Sequence, residues 1–192
     1  FGYLAGVNPA GVKSSPAYSW MDISTTGTEV SSKLASDADR FFQVDMGFEF
    51  PFFGKNESSV YISRYSTLSF DIEGYIWSTN PLRYKWEGLP DRIISVSGIF
   101  TPFEDGGHVY YQRFQDKFIV QWENANLYGM GTGSYQAVLH DNGTINIYIK
   151  ELNPTGWATL ETIAGSTYIG IEDQTQNDGI KIYDYSSTEK DI

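Results

Sequence analysis

The chain has 192 residues, of which 41% are hydrophobic, 16% aromatic and only 19% charged, with a formal net charge of -11 and a pI of about 4.5. Thirteen Lys and Arg against 24 Asp and Glu argue against nucleic acid and anionic membrane surfaces as partners, because phosphate binding needs clustered cations. The lack of cysteine excludes disulfides and thiolate chemistry, and no run nears the ~18 apolar residues of a membrane helix, so no membrane insertion is expected.

Residues 1–17 carry three glycines and two prolines with little periodicity, and are expected to form an N-terminal arm or linker. Residues 18–192 are expected to form a single domain, long enough for a real core without covalent staples. Because the first residue is Phe1, a processed, secreted form is the simplest expectation. Tyr18–Ser24 reads as a first strand, and Thr25–Asp39 as polar turn and loop. Phe42, Val44, Met46, Phe48 and Phe50 then alternate with Gln43, Asp45, Gly47 and Glu49, the two-residue period of a half-buried strand. Pro51–Asn56 breaks that run, and Ser59–Ser63 and Thr67–Phe70 follow as short strands.

Asp71–Asp91 is the least regular stretch and holds Tyr75, Trp77, Tyr84 and Trp86. Arg92–Phe100 returns to strand with apolar residues on both faces, which suggests a central position. His108–Phe114 and Asp116–Asn124 read as a hairpin. Ser134–His140 and Thr144–Lys150 read as another about Asp141-Asn142-Gly143, because Asn-Gly accepts positive φ. Glu151–Gly165 is a connection with a short helical turn near Trp157–Glu161, and Thr167–Glu172 and Gly179–Tyr185 close the body. Short strands at this spacing predict an all-β fold, an antiparallel β-sandwich (jelly-roll-like) of about ten strands.

No catalytic signature is present. His140-Asp141 has no G-x-S-x-G serine to serve, and two histidines without cysteine do not make a zinc site. No cofactor is expected, with Ca2+ the one candidate: Glu104 and Asp105 fall in a tight turn, though outside the D-x-D-x-D-G spacing, and turn chemistry alone explains such residues. Tyr75, Trp77, Tyr84 and Trp86 are the candidate ligand-binding residues, since aromatic faces stack on sugar rings. Asn56 and Asn142 begin N-glycosylation sequons, each in an expected turn.

The order of motifs carries a resemblance. It runs from Tyr18-Ser19-Trp20-Met21-Asp22-Ile23 and Gly47-Phe48-Glu49-Phe50-Pro51-Phe52-Phe53-Gly54 to Val60-Tyr61-Ile62-Ser63 and Thr101-Pro102-Phe103. Phe118–Asn124, Asp141–Ile145 and Tyr168–Glu172 complete it. In this order the chain resembles the non-catalytic β-sandwich module of secreted bacterial and archaeal surface proteins. That module is often appended to subtilisin-like proteases and adhesin-like chains, and is distantly similar to extracellular domains of nidogen and plexin-domain-containing proteins. The resemblance implies an extracellular or cell-surface module without enzymatic activity, for adhesion or for binding a glycan or surface protein. Two alternatives stand beside it. One is a homopolymer, a structural subunit whose arm adds a strand to a neighbour; the other is an accessory domain of a secreted protease or glycoside hydrolase.

Overall fold

A computed structural model describes Tyr3 and residues 17–35, 41–71, 92–97, 106–127, 129–164, 168–175 and 179–184. Among the described residues there are eleven strands: β1 (Thr28–Glu29), β2 (Phe41–Phe52), β3 (Lys55–Ser63), β4 (Thr67–Ser69), β5 (Ile93–Ser95), β6 (His108–Arg113), β7 (Lys117–Asn126), β8 (Gly131–His140), β9 (Ile145–Pro154), β10 (Tyr168–Glu172) and β11 (Gly179–Asp184). A short α-helix, α1 (Leu160–Ala164), follows β9. It starts at Thr159, which exchanges side-chain-to-backbone hydrogen bonds with Thr162 in a capping box.

The strands form two antiparallel sheets, a five-stranded one in the order β1-β6-β7-β8-β9 and a six-stranded one in the order β11-β10-β5-β4-β3-β2. The all-β sandwich expected from the strand pattern is therefore present. Its likeness to a jelly roll stops at the two layers. β2–β5 form one meander and β6–β9 the other, so successive strands are neighbours within each, and β10 returns to pair with β5. Between the layers, Phe50, Phe52, Ile62 and Leu68 from one sheet meet Phe118, Val120, Trp122 and Leu139 from the other, all fully buried. The period-2 pattern produces this directly, because alternate residues of each strand face the opposite sheet.

Local turn chemistry sets the register. Phe53 and Gly54 both take positive φ, 45° and 79°, giving the two-residue hairpin whose twist suits antiparallel strands. The break expected over Pro51–Asn56 is thus narrower: β2 runs on to Phe52 and pairs with Lys55. Pro51 is tolerated because β2 is an edge strand. The β8–β9 hairpin turns on Gly143 at φ 86°, as its Asn-Gly sequence predicts.

The β3–β4 turn, Arg64-Tyr65-Ser66, puts Ser66 at φ 56°, a conformation that costs a residue with a Cβ. Among the described residues, the buried Ser66 hydroxyl also has no hydrogen-bond partner. Ser66→Gly is expected to raise the unfolding free energy by about 1 kcal/mol, the relief of strain and of the buried hydroxyl exceeding the entropy a glycine adds to the unfolded chain. A urea midpoint lower than that of the parent chain would contradict this.

At the base of β4 and β5, Phe70 N donates to Arg92 O at 3.1 Å. The Arg92 guanidinium lies over the Phe70 ring, pairs with Glu57 and reaches Asp71 at 3.7 Å. The two ends of the aromatic connection between β4 and β5 are therefore tied to each other.

Candidate ligand-binding face

Tyr75, Trp77, Tyr84 and Trp86 lie outside the described residues, as do Glu104 and Asp105. Among the described residues, no three His, Asp or Glu side chains come together as metal ligands. Asn56 and Asn142 are both described and both exposed. They share one end of the sandwich: Asn56 pairs in register with Pro51, and the turn after Asn142 packs on Pro51, where a Cβ at Gly143 would lie 3.0 Å from its ring. Tyr3, from the arm, docks at this same end, its hydroxyl donating to Pro51 O at 3.1 Å and its ring 5.0 Å from Phe53.

The most distinctive surface is the outer face of the five-stranded sheet. Tyr18–Ser24, expected as a first strand, pairs with no strand among the described residues; it belongs to a segment, 17–27, that ends in the expected turn. It crosses the sheet from β9 toward β6 as an extended strap held by side chains. Two buried glutamines on adjacent strands, Gln121 of β7 and Gln136 of β8, supply the contacts. Gln136 Nε2 donates to Met21 O at 2.7 Å and its Oε1 accepts Met21 N at 3.4 Å, so the amide imitates a neighbouring peptide. Gln121 Oε1 accepts Ile23 N and Gln136 Nε2, both at 3.1 Å, while its Nε2 donates to Asp22 at 3.1 Å and Glu123 at 2.8 Å. Ile23, fully buried, plugs onto Ile119 and Val138. Thr26 Oγ1 donates to Gln112 at 2.8 Å, and the chain then enters β1 beside β6.

The strap turns a plain sheet face into a row of rings and fixed charges. Tyr18, 55% exposed, stands edge-on to Tyr148 with centroids 5.4 Å apart. Lys150 Nζ lies 5.5 Å from the Trp20 ring centroid and donates to Glu123 at 3.2 Å. The Trp20 indole N–H is buried with no acceptor among the described residues. Farther along, His108 stacks on Tyr110 at 5.9 Å and sits 2.7 Å from Glu29.

Electrostatics follow from this packing. The Asp22 carboxyl is held down at about 2 by hydrogen bonds from Ser24 and Gln121, with Lys150 nearby. Glu29 is lowered by hydrogen bonds from His108 and Ser31. Partial burial pulls Lys150 down, but its bond to Glu123 and the Asp22 and Glu151 carboxylates outweigh that and raise it. Burial raises Tyr110, and the Glu29, Glu123 and Asp22 carboxylates add to this. Asp22 is thus a fixed anion at neutral pH and has no proton to give, the opposite of the raised carboxyl that glycoside hydrolysis requires. The face can instead stack rings on apolar C–H surfaces and accept hydrogen bonds from hydroxyls or amines.

A two-residue period sets Tyr18, Trp20 and Asp22 on one side of the segment, but the period alone assigns them no role. A usable signal was present: Gln121 sits within Ile119-Val120-Gln121-Trp122, and Gln136 between Tyr135 and Ala137. An amide inside an apolar strand must find buried partners, and here they are the backbone of the strap.

No family model, curated protein or solved structure matches the chain. Among the described residues, no helix is long and apolar enough to cross a membrane.

Proposed function

We propose that this protein is a non-catalytic extracellular module that binds carbohydrate on the strapped face of its five-stranded sheet. The observation that carries the reading is the row Tyr18–Tyr148, Trp20–Lys150 and His108–Tyr110, interleaved with Asp22, Glu29 and Glu123. Rings spaced along a flat face suit a polymer that lies across it, and the surrounding acceptors suit a ligand rich in hydroxyl or amine donors. The excess of carboxylates over cations disfavours sulfated or uronic-acid polymers. Placement outside the cell rests on the resemblance of the motif order to that of surface modules.

A glycan array followed by calorimetry tests this. Binding to a neutral or amino-sugar polymer is expected, weakened about 10-fold by Trp20→Ala or Tyr18→Ala, since an aromatic contact contributes roughly 1 kcal/mol beyond its buried area. Binding that survives both substitutions, or no binding to any glycan, would remove the proposal.

A further inference from the structure

We infer that the free edge of β9 pairs with β9 of a second copy, making a two-fold dimer with one continuous ten-stranded sheet. β9 is ten residues long and ends the order of its sheet, so among the described residues no strand pairs with its outer edge. Its inner face is also incompletely covered. The three inward residues of β8, Tyr135, Ala137 and Leu139, are fully buried, whereas Ile145 and Ile147 of β9 are only half-buried and Ile149 is 37% exposed. A long edge with both unpaired backbone and uncovered isoleucines is a template for strand addition.

The geometry selects a second copy as the occupant. His140 N donates to Thr144 O across the hairpin at 2.9 Å. In an antiparallel ladder, the backbone groups of successive residues point alternately toward and away from the partner strand. Asn146 and Tyr148 therefore bond toward β8, and the N–H and C=O groups of Ile145, Ile147 and Ile149 point outward. A copy of β9 placed about a two-fold axis at Ile147 sets Ile147 opposite Ile147 and Ile145 opposite Ile149. Every outward group of these three isoleucines then finds a partner, and the uncovered isoleucines of the two copies become neighbours. On the other face Asn146 comes opposite Tyr148, and Lys150 opposite Thr144, so no like charges meet.

Shifting the axis to Asn146 or Tyr148 loses one of these hydrogen-bonded pairs. In the register about Ile147 the interface is isologous and closes on itself, and both strapped faces lie on the same side of the joined sheet. A polymeric ligand would meet two sites at once, which raises avidity without new contacts. This inference does not depend on the carbohydrate reading, because its readout is mass.

Sedimentation of the full chain at about 0.1 mM is expected to show a species near 43 kDa, twice the 21.6 kDa monomer. Because each copy carries -11, association should strengthen as salt screens the repulsion. Ile149→Lys, at the exposed end of the row, is expected to weaken the dimer at least about 10-fold while circular dichroism stays unchanged. The parent chain has no cysteine, so single-cysteine variants report register cleanly: Ile147→Cys should cross-link to itself on mild oxidation, and Ile145→Cys or Ile149→Cys alone should not. A monomer at every concentration would overturn the inference. So would a dimer indifferent to Ile149→Lys, cross-linking without preference for position 147, or capture of a foreign extended peptide in place of a second copy.

Discussion

Trp122→Ala is expected to lower the unfolding free energy by about 3–5 kcal/mol, the cost of emptying a fully buried aromatic site that the surroundings refill only in part. Trp122 has no solvent exposure and lies in β7 facing the core, between Val109 of β6 and Tyr135 of β8. Its indole Nε1 donates to Ser63 O at 3.0 Å. Ser63 ends β3 in the opposite sheet, so the bond joins the two layers. Trp122→Phe keeps most of the volume and loses the donor. It should therefore cost less, about 1–2 kcal/mol, the usual penalty for leaving a buried carbonyl unpaired. Urea unfolding with an unchanged m-value measures both. An alanine variant within about 1 kcal/mol of the parent would show that the indole is not packed as described.

Gln121→Leu is expected to cost about 2–3 kcal/mol and to act on the strap before the rest of the fold. The substitution nearly keeps the volume but leaves the Ile23 N–H without its acceptor and removes a partner from Gln136, Asp22 and Glu123. Amide exchange at Ile23 should accelerate while amides in β3 and β8 stay protected. A pH signature accompanies this. In the parent chain Asp22 titrates at about 2, below its ordinary 3.8, so its contribution is complete above about pH 4 and is lost as pH falls toward 2. The group is exposed, and solvent screening keeps that contribution small. Loss of the Gln121 donor should move the Asp22 midpoint upward, which carboxyl chemical shifts can follow. An unmoved midpoint together with unchanged exchange at Ile23 would mean that Gln121 does not hold the strap.

Much of the strand framework is readable from local pattern. Alternation in Phe42–Phe50, the apolar faces of Ile94 and Val96, and Asn142-Gly143 each report a short-range condition that the backbone must meet, and the strands and hairpins appear where those conditions stand. β5 lies between β4 and β10, inside its sheet, as apolar residues on both faces imply. The alternation around Gly47 was misleading in one respect. Asp45 Oδ1 accepts Gly47 N at 2.7 Å, Gly47 takes φ 87°, and the pairing with β3 jumps between Asp45 and Phe50, so β2 carries a bulge where the pattern reads as a regular strand.

The candidate site was far less legible. Tyr18–Ser24 has the alternation of a strand, and period 2 says that one side will be covered without saying by what. Ile23 is bound by Gln121, 98 positions away, and Met21 by Gln136, 115 away. Contacts of that span leave no trace in a local window.

What the chain determined by itself was its class: an acidic, cysteine-free, aromatic-rich all-β sandwich, with one hairpin written into Asn142-Gly143 and the strands into the two-residue period. Only the tertiary structure decided that Tyr18–Ser24 is part of a strap instead of a strand, and that the outer edge of β9 is unpaired among the described residues. It alone also brought Tyr18, Trp20 and Tyr110 onto one face. The physical reason is the same in each case. Local sequence sets which backbone shapes and which buried sides are favourable, but the partner that satisfies each hydrogen bond and covers each apolar face is chosen by the packing of the whole chain.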